Sequence, residues 1–238
     1  MALYAYATPW LALSSTIPLF FLSIMVAPLN HHHQHVNVFR SDVLNRLYDL
    51  VLALQTGAGP YTWVLHHNLG HHLNYLAQPP STPADESHWA RSDGSKMGRF
   101  EYTFHLFLDH QRDVHRNGRR HPKVYRAFWL MRAPLFAVIV VLAALKPWNF
   151  AFVVALPAAL TFLHTCWATY EHHAGQPTTS HYEATVNRIH PLYNVMSWNL
   201  GYHTAHHLRP GVHWSELPAL HREIEAKIPP AQILTTFW

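Results

Sequence analysis

The sequence predicts an all-α integral membrane protein, with about three transmembrane helices and a cytoplasmic helical cap, on three observations. Charged residues make up 13% of the 238 positions and hydrophobic residues 49%, roughly half the charge of an ordinary soluble domain. Residues 1 to 39 contain no Asp, Glu, Lys or Arg, the first charge being Arg40. A second uncharged run lies between Lys146 and Glu171.

Taken in order, "LYAYATPWLALSSTIPLFFLSIMVAPL" is longer than the ~20 helical residues that cross a ~30 Å hydrocarbon layer. It lacks the charged start and small-residue cleavage site of a signal peptide, so a retained helix is expected over about residues 6–28. In residues 41–65, Arg46 and Asp49 argue against a full crossing, and the break from Gly57 to Pro60 divides the stretch. A juxtamembrane or re-entrant pair of short helices is expected there. Residues 91–126 hold nine Lys and Arg, from Arg91 to Arg126, against four acids. That bias assigns the loop to the cytoplasmic side and accounts for its charge without nucleic acid as a partner. "AFWLMRAPLFAVIVVLAAL" and "PWNFAFVVALPAALTFLHTCWATY" form a hairpin, over about 128–146 and 148–170, that turns at Lys146, Pro147 and Trp148. Arg132, near one end, is expected to snorkel to the headgroups. From Trp214 onward a short amphipathic helix is expected. The whole, 1–238, reads as a single domain with cytoplasmic regions at 30–126 and 171–238. A soluble helical bundle fits poorly, because its long helices would carry charge on one face.

Histidine makes up 23 residues, and there is one cysteine, Cys166. The lone thiol excludes a disulfide framework and a cysteine-ligated cluster, so any bound metal is held by nitrogen and oxygen. Four groups stand out. His31 and His35 lie four apart, on one face of a helix. "HHNLGHH" carries His67, His71 and His72, and "YHTAHH" carries His203, His206 and His207. "TYEHHAG" presents His172 or His173 where the last apolar run ends. If the first crossing ends near residue 29 and both ends of the hairpin face the cytoplasm, all four groups share one side of the membrane. Eight imidazoles and a ninth exceed what one metal takes, so a dimetal site is expected. Imidazole does not choose among iron, zinc, copper and nickel. Many neutral ligands beside apolar helices favour iron and a site where dioxygen meets a hydrocarbon chain. The other histidines are expected to cap, stack or face solvent.

With these boxes in this order, the chain resembles the membrane fatty acid desaturase and hydroxylase superfamily, which includes the alkane monooxygenases and stearoyl-CoA desaturases. "HHHQH", "HHNLGHH" and "NLGYHTAHH" carry the resemblance, which spans about residues 25–225. It implies two iron ions, with His31, His35, His67, His71, His72, His203, His206 and His207 as ligands. "YEHHAG" makes His172 the ninth candidate, and Glu171 and Asn199 are candidates to support the ligands from behind. His32 stands where many desaturases carry Asp and many hydroxylases Glu, so the first box sorts the chain into neither branch. Relatives usually cross twice before the first box. One crossing is expected before the box here, and with it a reduced version of the fold whose N-terminus faces away from the cytoplasm.

The implied activity is O2-dependent desaturation of the hydrocarbon chain of a lipid or fatty acyl substrate, favoured by the third box and the "NLGY" before it. The "EHH" element supports the alternative, a hydroxylase or monooxygenase acting on an alkyl or acyl chain. The sequence holds no haem module, dinucleotide fingerprint or four-cysteine site. Electrons are therefore expected from a separate ferredoxin, rubredoxin or cytochrome. A non-catalytic metal-binding membrane protein would place histidines inside the crossings, where only His164 falls. The expected location is a multi-pass membrane protein with its active site on the cytoplasmic face.

Overall fold

The computed structural model describes residues 2–237. In chain order its helices are α1 (Ala2–Tyr6), α2 (Pro9–His35), α3 (Asp42–Thr56), α4 (Arg99–Arg120), α5 (Pro122–Leu145), α6 (Pro147–Asn149), α7 (Leu156–His173), α8 (Pro191–Ser197), α9 (His203–Leu208) and α10 (Leu217–Ile224). Val64–His72 and Phe150–Ala155 wind as wider π-helix. Among the described residues the strands are β1 (Asn187–Arg188) and β2 (Ile233–Leu234), paired in parallel. The fold is all-α, as expected. Among the described residues, three stretches are long and apolar enough to cross a membrane: Pro9–His35, Pro122–Leu145 and Pro147–His173. Two compact units divide the chain, one of Met1–Leu65 and Gly118–Thr165, the other of His66–Asn117 and Cys166–Trp238.

In the first unit, α2 starts where Thr8 accepts a hydrogen bond from the Leu11 amide and Pro9 supplies a preset first turn. The helix does not stop at the expected residue 28. It continues through Pro28 to His35, so the first histidine box forms the last turns of the apolar helix itself. A proline costs one backbone hydrogen bond but need not end a helix held by its neighbours. The hairpin turns at Lys146 as expected, though α5 begins earlier, at Pro122. Lys146 Nζ donates to the Ala5 carbonyl, Trp148 Nε1 to Pro9 O, and buried Asn149 to Tyr4 O and Ala7 O. These bonds pin the N-terminal residues to the turn.

Helix α3 packs on α2 with its polarity reversed. Asn45, Asp49 and Thr56 are buried, whereas Val43, Leu44, Leu47 and Val51 are exposed. The buried groups are paired within the unit: Asp49 accepts from Gln34 at 2.6 Å and Arg46 at 2.8 Å, and Asn30 donates to Thr56 at 2.8 Å. Gly57 ends α3 in the left-handed conformation, φ 73°, where a side chain would be strained. The break expected at Gly57 to Pro60 is present.

In the second unit, α4 turns Tyr102, Leu106, Asp113 and Val114 inward. A separate apolar core gathers Ala205 of α9 with Leu217, Leu220 and Ile224 of α10 and with Ile228. The short helix expected from Trp214 onward is present: a 3-10 turn, Trp214–Glu216, runs directly into α10.

Candidate metal centre

The second box lies on the π-wound stretch Val64–His72. Bonding five residues apart instead of four widens the turn, and His67 and His72, five apart, bring their Nε2 atoms to 3.0 Å. Gly70 is required in that stretch, because a Cβ there would lie 2.4 Å from Glu86 Cγ and 2.5 Å from Asn117 Nδ2. The third box starts α9 after a sharp reversal. Trp198 and Asn199 both take positive φ, 53° and 63°, and a Cβ on Gly201 would lie 2.2 Å from the Arg188 carbonyl. Thr204 fastens α9 from behind: its amide donates to Asn187 Oδ1 at 3.0 Å, and its hydroxyl accepts from Asn187 Nδ2 at 2.7 Å.

Inside the second unit these elements bring imidazoles together in two groups. His72 Nε2 lies 3.0 Å from the Nε2 atoms of both His67 and His206. His71, His173 and His207, all buried, each offer a ring nitrogen within 4.8 Å of the others. The rings of His72 and His207 stack at 4.2 Å and link the two groups. His203 Nε2 is 3.0 Å from His173 Nε2 and 3.2 Å from His207 Nε2. His172 stacks on His203 at 4.1 Å, and its Nε2 lies 3.4 Å from the Tyr193 hydroxyl. In the first unit, His31 and His35 share a face of α2 with ring centroids 4.8 Å apart, and Trp63 lies edge-on to His31.

The donor set fits a metal, and the outer hydrogen bonds show why. His71 Nδ1 lies 2.8 Å from Asp85 Oδ1, and His173 Nδ1 lies 3.0 Å from the Ala184 carbonyl. A carboxylate and a carbonyl both accept, which puts a proton on Nδ1 of each ring and leaves Nε2 to face the cluster. Burial holds His207 well below the ordinary histidine pKa, and the neighbouring imidazoles His72, His203, His173 and His71 lower it further. The ring is therefore neutral near pH 7, the form that ligates. Lone pairs 3.0 Å apart repel unless a proton or a cation lies between them. Tyr75 stacks on His207 at 4.3 Å and bonds His181 Nδ1 at 2.6 Å, with its phenol pushed upward by burial. Burial also raises the Tyr193 phenol to about 12, which leaves a proton on the hydroxyl beside His172.

Glu171 accepts from Arg99 and, at 3.4 Å, from Arg188, tying the end of α7 to α4 and β1. Asn199 donates to the Trp214 carbonyl at 3.2 Å and braces the reversal before the third box. Two contributors were not singled out in the sequence. Asp85 lies fourteen residues beyond His71 in a loop with no marking pattern. His173 appeared only as one of a pair with His172.

Apolar helices of membrane-crossing length and a buried double cluster of imidazoles define a helical membrane protein organised around a histidine-rich centre. The family model for fatty acid desaturases matches residues 7–237, and the chain belongs to that family, with chemistry of the desaturase and hydroxylase type. No curated protein and no solved structure matches the chain.

Proposed function

We propose that the protein is an O2-dependent diiron membrane oxidoreductase that desaturates the hydrocarbon chain of a lipid or fatty acyl substrate. The observation that carries this reading is the buried trio His71, His173 and His207, with lone pairs aimed inward by Asp85 and the Ala184 carbonyl. Family membership over nearly the whole chain supports it. In this reading His71, His173, His203 and His207 serve one metal and His67, His72 and His206 the other; His31 and His35 are the further ligands that the family resemblance implies. His172 is held in reserve beside His203.

Bound iron would supply dioxygen activation and with it the removal of hydrogen from an unactivated C–H bond. The protein's own part is to keep the rings neutral by burial, fix their tautomers and exclude water from the reacting carbon. Desaturation removes two hydrogens from adjacent carbons and, with two electrons and two protons, reduces dioxygen to two waters. The electrons come from a separate ferredoxin, rubredoxin or cytochrome, and the centre faces the cytoplasm of a multi-pass membrane protein.

A second reading, hydroxylation with one oxygen retained in an alcohol, is favoured by the histidine pair that closes α7, since His173 joins the cluster. Purified protein supplied with a surrogate donor and an acyl substrate separates the two by product mass, a loss of two hydrogens against a gain of one oxygen. Metal analysis of the same protein tests both. Zinc alone, or metal that washes out, would overturn the diiron assignment.

A further inference from the structure

We propose that α4 lies on the lipid bilayer along one face, at the level of the headgroups and first acyl carbons. Phe100, Phe104 and Leu108 recur every four residues and so line one side of the helix; they are 71%, 51% and 72% exposed. The row runs about 12 Å at ~1.5 Å per residue along a helix that is otherwise strongly polar. An apolar stripe on a polar helix is the pattern of an interfacial segment, and a contiguous apolar surface marks a contact face.

The neighbours identify what it contacts. The Phe100 ring packs edge-on against Trp167 at 5.0 Å. The Arg99 guanidinium sits 4.9 Å from the Trp167 ring and 5.4 Å from the Tyr170 ring. Trp167 and Tyr170 belong to the last turns of Pro147–His173, a stretch able to cross a membrane. Trp, Tyr and Arg gathered at the end of an apolar helix mark the boundary between water and hydrocarbon. The stripe begins at that belt and continues from it. Its charges suit a lipid surface as well: Glu101 is paired with Arg91, Asp109 with Arg112, and Asp113 with Arg116. Anionic headgroups therefore meet no uncompensated acid on α4.

The test does not depend on the metal chemistry. Cys166 is buried, so in the otherwise native full-length chain Phe104→Cys and Leu108→Cys each add one reactive thiol, with unmodified protein as the labelling blank. Each is coupled to an environment-sensitive fluorophore and reconstituted into phosphatidylcholine vesicles, with Ser92→Cys, in an exposed loop, as the aqueous control. Both positions are expected to emit at shorter wavelength than the control and to resist iodide. Nitroxide lipids should quench them most strongly when the nitroxide sits shallow in the chain, in keeping with a depth of about 5–10 Å. Iodide quenching equal to that at Ser92, with lipid nitroxides silent, would overturn the proposal. So would strongest quenching from deep nitroxides, or an apolar signal that appears only when a soluble protein partner is added.

Discussion

Replacing Asp85 with Asn tests whether the inward lone pair of His71 is set from outside the cluster. Asp85 is 1% exposed. Its Oδ1 lies 2.8 Å from His71 Nδ1 and also accepts the Ser87 amide at 2.8 Å. The carboxylate can only accept; an amide that keeps its oxygen on His71 and Ser87 accepts as a weaker, uncharged partner, and one turned to present its NH2 to His71 gives up the Ser87 bond and donates to Nδ1. That reverses the tautomer and places the proton on Nε2, the atom facing His173 and His207. Loss of such an outer partner typically costs 10–100-fold in metal affinity, about 1.4 to 2.8 kcal/mol at 1.4 kcal/mol per decade. The assay is competition with a chelator at pH 7, reading iron retained per chain. Thermal unfolding of the metal-free protein runs alongside, because removing a hydrogen bond to a charged group costs about 1.5–3 kcal/mol in its own right. Weaker iron retention beyond what the metal-free melting shift explains is the expected result. Unchanged retention in a folded D85N protein would refute the tautomer argument and leave Asp85 a loop anchor.

Three further outcomes follow from the same geometry. His173→Gln should reduce retained iron much more than His172→Gln, because His173 shares the cluster with His71 and His207 while His172 stacks on its edge; equal losses would reverse that assignment. His66, fully buried beside His110, is lowered by burial to about 3. An unfolded histidine near 6.5 binds its proton first, so this group's contribution is fully present above pH 6.5. It is lost as pH falls toward 3. Unfolding measured across pH 7 to 4 should therefore show stability falling with acid, and His66→Phe should make the slope shallower by up to a few kcal/mol over that window. Finally, Leu47→Lys on the exposed face of α3 should cost about 2.5–3.5 kcal/mol if that face meets hydrocarbon, but within ~0.5 kcal/mol if it meets water. Stability in bilayers decides between them.

Much of this protein is legible in its sequence because its strongest signals are local. Charge-free runs long enough to span a bilayer, the Lys146 turn, the Gly57 break and the histidine boxes each depend on spacing within a single element. His31 and His35, four apart on a helix, had to share a face whatever surrounded them. Tertiary structure decided what spacing leaves open. His172 and His173 differ by ~100° of helical phase, and only the packing of α7 against α9 selects which ring meets His203 Nε2. Asp85 was invisible because its value lies in meeting His71 across a loop, and no periodicity records that encounter. For α3 the sequence shows two faces without saying which is inside. The polar residues of α2, Asn30 and Gln34, bind the polar face, and so the apolar face turns outward. Local sequence thus determined which groups exist and which neighbours share a face, while the long-range packing determined the direction in which each face and each ring nitrogen points.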